Sequence, residues 1–192
     1  MSVVIIDYGA GNIQSIKFAL ERLGTTAVLT NDANVIREAA HIIFPGVGEA
    51  STAMEKLISS GLDTLIPTLT QPVLGICLGM QLMCNRTAEG NTKGLGIFDT
   101  DVVRFDTNLN VPHMGWNTVE GAGVLFGGIP QNSHFYLLHS YYAKSNGNNV
   151  GSCTYGIPFA AALAKNNFYG TQFHPEKSGE MGAQLLKNFL AI

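Results

Sequence analysis

Cysteine is scarce in this chain: Cys77, Cys84 and Cys153 are three in number and form no C-x-x-C pair. An odd, scattered set argues against a disulfide scaffold and against a zinc site, and it makes a reducing cytoplasm the expected compartment. Charge is low as well. Asp, Glu, Lys and Arg together are 13% of the residues and the formal net charge is −3, so nothing in the balance points to nucleic acid or to an anionic membrane. Long apolar runs are missing; those present are the length of a strand, too short to span a bilayer. The opening M-S-V-V-I-I-D has no basic stretch and no cleavage site, and reads as a first strand rather than an export signal. Repeats, low-complexity tracts and long linkers are lacking too. What is there is 192 residues, 46% of them hydrophobic, enough for one domain over residues 1–192 with a sizeable core.

The first half alternates strand and helix patterns. Val3 to Ile6 is an uninterrupted β-branched run, as in a strand buried on both faces. After a Gly9–Gly11 loop, Ile13, Ile16, Leu20 and Leu23 recur at helical spacing until Gly24. The G-A-G-N-I-Q of this loop has Gln14 where a dinucleotide fingerprint has its third glycine, so no cofactor is expected. Strands over 27–29 and 42–44, helices over 35–40 and 50–60, and a helical piece near Leu65 follow. This alternation predicts an α/β fold of three layers, a mostly parallel central sheet with helices on both faces. After Asn85 the pattern becomes β-rich. Strands are expected over 94–98, 102–105, 134–143, 152–155, 160–164 and 168–173, the last two joined by an Asn166-Asn167 hairpin turn, then a helix over 179–190. The second half thus adds an antiparallel portion to the parallel core.

The chemistry centres on P-V-L-G-I-C-L-G-M-Q, residues 72–81. An apolar strand ends at Cys77 and a helix is expected from Leu78 to Asn85, with glycines at 75 and 79 clearing space for a sharp turn. This is the layout of a nucleophile elbow, in which the nucleophile stands free above a sheet and faces helical N–H groups that favour a negative charge on it. Cys84, two helical turns on, is expected in the core. A nucleophilic thiol needs a base. His41 opens a strand, and His134 and His139 fall in the long strand, where a structural role is the simplest reading. His174 differs because Glu176 follows two residues later with Pro175 between. In an extended segment, i and i+2 lean to similar sides, so the carboxylate can hold the imidazole in one tautomer.

Together G-I-C-L-G-M-Q, P-G-V-G-E and Q-F-H-P-E-K-S resemble the class I, triad-type glutamine amidotransferases, in the right order and along the whole chain. The resemblance implies glutamine as substrate, Cys77 as nucleophile, His174 as proton carrier and Glu176 as the group that orients it, with no metal and no other cofactor. It implies an oxyanion hole from the backbone N–H groups of Val47 and Leu78, donors that need no reorganisation during the reaction. By the same resemblance Gln81, Glu89, Ser140 and Tyr141 contact the substrate.

Released ammonia would be protonated in water, and no residues remain for a synthase domain, so a separate acceptor subunit is inferred. I-D-Y-G-A-G-N and V-P-H-M-G-W-N are similar to the members that act in histidine biosynthesis. Their similarity implies a cyclase partner with a (β/α)8 barrel in a heterodimer, with Asn12, Tyr136 and Lys177 near the interface. The alternatives are the members that serve anthranilate or aminodeoxychorismate synthase, a partner-binding module without catalysis, and a cysteine peptidase of related fold. Glycine on each side of Val47 leads to one further expectation: the oxyanion hole is incomplete until the partner and its ligand bind.

Overall fold

The computed structural model describes residues 2–192. In chain order it contains β1 (Val3–Ile6), α1 (Ile13–Arg22), β2 (Ala27–Thr30), α2 (Ala33–Glu38), β3 (His41–Phe44), α3 (Ala50–Ser59), α4 (Leu62–Leu65), β4 (Val73–Ile76) and α5 (Leu78–Leu82). The β-rich half follows: β5 (Cys84–Thr87), β6 (Thr92–Lys93), β7 (Phe98–Arg104), β8 (His113–Gly121), β9 (Ser133–His139), β10 (Tyr141–Ala143), β11 (Asn149–Tyr155), β12 (Ile157–Lys165) and β13 (Phe168–Thr171), closed by α6 (Gly179–Leu190).

The sheet runs β2-β1-β3-β4-β13-β12-β10-β7-β5-β6, and its first five strands are all parallel. β1, β3 and β4 are buried at all four of their positions because both faces are covered, which is why they read as nearly continuous apolar runs, whereas β2 at the edge is partly exposed. Val4, Ile6, Ile42 and Phe44 pack on one face with α3 and α4, whereas Val3, Ile5, Ile43, Leu74 and Ile76 pack on the other with α1 and α6. From β12 onward pairing is mostly antiparallel, and β11, β8 and β9 branch off β12 as a further layer. The expected architecture, parallel core plus antiparallel addition, is the one found. Among the described residues no helix is long and apolar enough to cross a membrane.

Several local expectations are corrected. α2 begins two residues earlier because Asp32 caps it, accepting from Asn34 N–H at 2.8 Å and Val35 N–H at 3.2 Å. The helix after Cys77 stops at Leu82 instead of Asn85, and Cys84 starts a strand, although it is buried as expected. The carbonyls that a longer helix would use are taken from outside: Leu82 O accepts from Leu95 N–H at 2.8 Å, and Met83 O from Ile97 and Phe98 N–H at 2.9 Å. The two strands expected over 94–98 and 102–105 are the single β7, whose Phe98, Thr100 and Val102 face inward while Asp99 points out. The long strand over 134–143 is broken at Ser140: β9 pairs with β8, whereas β10 pairs with β7 and β12.

One close approach sets the geometry of the sheet edge where Cys77 lies. The 45–49 loop after β3 lies directly on α5, so closely that a Cβ on Gly79 would collide with the Phe44 carbonyl oxygen and one on Gly46 with the Gly79 nitrogen. Gly46 is therefore held by packing, and the rotational freedom expected on both sides of Val47 is found on one side, at Gly48 with φ +97° and open space around it. We expect Gly79→Ala to cost about 1–3 kcal/mol through overpacking, seen as a lower urea midpoint. Gly147→Ala, with nothing within 4 Å of the added methyl, leaves that midpoint unchanged.

Candidate active site

Cys77 occupies the turn between β4 and α5 with φ 53° and ψ −109°. A non-glycine residue at positive φ is strained, and strain held by surrounding structure concentrates at functional turns. The holding contact here is Cys77 N–H donating to Thr171 O at 2.7 Å, at the end of β13. Because α5 is five residues long, few peptide dipoles stand behind the sulfur. The Sγ lies 3.8 Å from Leu138 O and 3.6 Å from Gln172 Nε2.

β13 runs parallel to β4 in the register Thr171↔Ile76, so the residues after both strands emerge side by side. His174 follows and Glu176 accepts from its Nδ1 at 2.9 Å. The contact is made differently from the sequence expectation. Pro175–Lys177 is a 3-10 turn and only His174 is extended; Pro175 sits at the first position of that turn, where a missing N–H costs nothing. Ser178 closes it, donating from Oγ to His174 O at 2.6 Å and accepting from Tyr136 N–H at 3.0 Å. With Nδ1 bound to Glu176, Nε2 is the nitrogen left for the cavity. Burial pushes the imidazole toward its neutral form, but hydrogen bonding and charge from Cys77 and Glu176 outweigh it and hold the pKa up at about 10.

These groups open into a cavity of about 260 Å3. Val47, Cys77, Leu78, Gln81, Glu89, Ser140, Tyr141, His174 and Lys177 all line it, so most of the residues singled out in the sequence meet in one place. Glu176 stands behind His174 rather than in the cavity, and Asn12 and Tyr136 are outside it; Tyr136 lies under Lys177, whose Nζ is 5.8 Å from the ring centroid. The N–H groups of Val47 and Leu78 donate to no acceptor among the described residues. Glu89 Oε2 accepts from Ala50 N–H at 3.0 Å, and burial raises its carboxyl above the usual range, a cost that a neighbouring cation would offset. Gln81 directs both amide hydrogens inward, to Tyr141 O at 2.9 Å and Gln172 Oε1 at 2.8 Å, leaving its own oxygen for a ligand.

Four participants were not picked out from sequence. Leu138 and His139 line the cavity because β9 ends there. Gln172 stands in the quoted Q-F-H-P-E motif, yet nothing local shows that it touches the sulfur. Tyr8, in I-D-Y-G, donates to Pro45 O at 2.7 Å and braces the head of the 45–49 loop; burial, then the proximity of Cys77, raises its phenol. His41 is structural as expected, edge-on to Phe189 at 5.3 Å.

The family model described as glutamine amidotransferase class-I matches residues 4–192. Relatives named imidazole glycerol phosphate synthase subunit HisH include one from Bacteroides fragilis, 53% identical with all of both chains covered, and one from Haemophilus influenzae, 50% identical over 99% of this chain and 97% of the relative. A solved structure from Thermoplasma acidophilum, provisionally named as part of a GMP synthase, superposes with a TM-score of 0.77 at 20% identity, covering 100% of this chain and 92% of that one. At that identity it speaks for the fold alone.

Beside the cavity, His113 and His139 form a buried pair, Nδ1 to Nε2 3.1 Å. Burial lowers His113 to about 4 and, with the charges of His113 and His174 adding to it, His139 to about 3. Their folded values lie below the ordinary 6.5, so the folded imidazoles refuse protons that the unfolded ones take up as pH falls. Stability is then full above about pH 6.5 and declines toward pH 4. Urea midpoints measured between these limits should fall, and His113→Gln should make the fall shallower. Equal slopes would mean that the pair is not held neutral.

Proposed function

This chain belongs to the class I glutamine amidotransferase family, and from that premise we propose that it is the glutaminase subunit of an imidazole glycerol phosphate synthase. The observation that carries the reading is the meeting, in one cavity, of Cys77 after β4 with His174 after β13, the latter paired to Glu176 at 2.9 Å. In this reading the Cys77 sulfur adds to the side-chain amide carbon of glutamine, and the developing oxyanion rests between the N–H groups of Leu78 and Val47. His174 Nε2 passes its proton to the amide nitrogen, the C–N bond breaks and ammonia leaves, with a thioester remaining. Water then gives a proton to His174 Nε2 and attacks the thioester carbonyl; the C–S bond breaks, glutamate departs and the sulfur is restored. Glu176 keeps the imidazole turned and stabilises its charged form. Gln81 Oε1 and the Glu89 carboxylate take the substrate α-ammonium, and the Ser140–Tyr141 backbone takes its α-carboxylate.

Ammonia must reach its acceptor unprotonated, so the cavity opens against a second subunit, a cyclase with a (β/α)8 barrel. That subunit builds imidazole glycerol phosphate and aminoimidazole carboxamide ribotide for histidine biosynthesis. A surface suited to it adjoins the cavity. On the β8–β9 hairpin the alternation that buries His113 and His139 turns Met114, Trp116 and Leu138 outward, 67%, 56% and 39% exposed, in the register Met114↔Leu138 and Trp116↔Tyr136. Exposed apolar side chains in a row mark a protein contact, and Tyr136 and Lys177 adjoin them. Asn12 caps α1, which packs against the Pro175–Lys177 turn. The three free cysteines, all buried, suit the cytoplasm, where such a complex would work.

Glutamate release in the presence of the cyclase and its ribotide tests this reading; none from the unsubstituted chain would end it. Cys77→Ala should be inactive. Glu176→Gln should lower kcat by about a hundredfold or more with KM within about twofold, because imidazole orientation is lost while the pocket stays. An unchanged kcat would make Glu176 structural. The chain alone should turn over about 10²–10³-fold more slowly than the complex, the loss expected for one oxyanion donor, because Val47 is exposed, its N–H is unbonded and Gly48 beside it is unpacked until a partner covers the loop. Equal turnover would show that the hole is complete without the partner.

A further inference from the structure

Gln172 is fully buried between β13 and the His174 turn, with its Nε2 3.6 Å from Cys77 Sγ. An amide can present either end, and the choice matters: an N–H stabilises an anionic sulfur, whereas a carbonyl oxygen repels it. The surrounding hydrogen bonds settle it. The Tyr141 carbonyl can only accept. It receives His139 Nδ1–H at 2.7 Å and Gln81 Nε2–H at 2.9 Å. Gln81 must therefore turn its NH2 inward, and the second hydrogen goes to Gln172 Oε1 at 2.8 Å. With its oxygen so engaged, Gln172 has its NH2 facing the sulfur. Turning Gln172 over would set two NH2 groups against each other. Turning both glutamines over would set Gln81 Oε1 against the Tyr141 oxygen. The bond to a carbonyl also places the His139 proton on Nδ1. Its Nε2 then accepts from His113 Nδ1 at 3.1 Å, and His113 Nε2 accepts from Asn117 Nδ2 at 3.3 Å.

We infer that the Gln172 side-chain amide is a catalytic donor to the Cys77 sulfur, its orientation locked through Gln81 by the Tyr141 carbonyl. The sulfur has two other polar neighbours of opposite effect. The Leu138 carbonyl, 3.8 Å away, accepts from the thiol and favours the neutral form. His174 supplies positive charge and favours the anion. Gln172 adds to the second side, since a hydrogen bond to a charged acceptor is about twice as strong as one to a neutral acceptor. It acts at both ends of the cycle. It favours the thiolate that attacks the amide, and it receives the same thiolate when the thioester C–S bond breaks. Being no part of the carbonyl-binding site, it touches the reacting sulfur without contacting the rest of the substrate.

The role rests on Cys77 being the nucleophile, and the test separates the two claims. Gln172→Met keeps length and bulk and removes the donor. The rate of Cys77 alkylation by iodoacetamide is followed against pH in the isolated chain, Cys77 being the cysteine that lines the cavity, with Cys77→Ala as the blank for Cys84 and Cys153. The midpoint of that profile should move up by about one pH unit, equivalent to a tenfold weaker preference for the anion. In the complex, kcat for glutamine hydrolysis should fall about tenfold or more with KM within about twofold. A lower urea midpoint with an unchanged alkylation profile would mean that Gln172 is structural and would overturn the inference. Should Gln172→Met not fold, the unsubstituted chain decides: the Gln172 side-chain N–H resonance must shift across the thiol titration and stay still in Cys77→Ala. A resonance that ignores the titration overturns the inference. If the unsubstituted complex hydrolyses no glutamine, the wider reading has failed, and the alkylation and resonance results still judge Gln172 alone.

Discussion

The site depends on one strand pairing. β4 and β13 lie side by side and parallel, and the residues that follow them, Cys77 and Gln172, touch although 95 residues of chain separate them. A parallel pair delivers both chain ends to the same edge of a sheet, so the turn after each strand opens into the same space. The bond from Cys77 N–H to Thr171 O fixes the first turn against the second. From it follow the strained backbone at Cys77, the approach of His174 from the neighbouring turn and the place of Glu176 behind it. Closing a loop of this length is costly in entropy and is repaid by apolar burial along both faces of the central strands β1, β3 and β4.

The antiparallel addition completes what the parallel core begins. β9 ends at His139 and β10 starts at Tyr141, and the break at Ser140 brings the Tyr141 carbonyl within reach of Gln81 on α5. Two buried imidazoles support that carbonyl from the other side, through His139 and then His113. β8 and β9, which carry these imidazoles, turn Met114, Trp116 and Leu138 to solvent. One hairpin thus presents an apolar row outside and a polar chain inside, by the alternation of side chains that any strand imposes.

Much of this was legible in the residues before any coordinates. Strands buried on both faces are apolar throughout and helices show their period, so the α/β architecture could be read directly. Cys77 could be read too, because a thiol at a strand end with small residues around it suits a tight elbow and little else. Local competition for hydrogen bonds was less legible. α5 stops early because residues 95–98 take its last carbonyls, and the run over 134–143 divides because its two parts pair with different strands. The H-P-E contact was foreseen but its 3-10 turn was not, because the turn is held by Ser178 and the backbone of Tyr136, both outside the motif.

By itself the sequence determined which side chains are suited to chemistry and in what kind of local setting: a thiol on a turn, an imidazole beside a carboxylate, a loop bracketed by glycine. These are properties of neighbours along the chain, set by sterics and spacing. Tertiary structure alone decided which of them meet, which end of the Gln172 amide faces the sulfur, and that Gly46 serves close packing rather than freedom. Those outcomes depend on atoms brought together from distant segments, where strand register and the direction of each hydrogen bond are set by the fold as a whole and by no stretch within it.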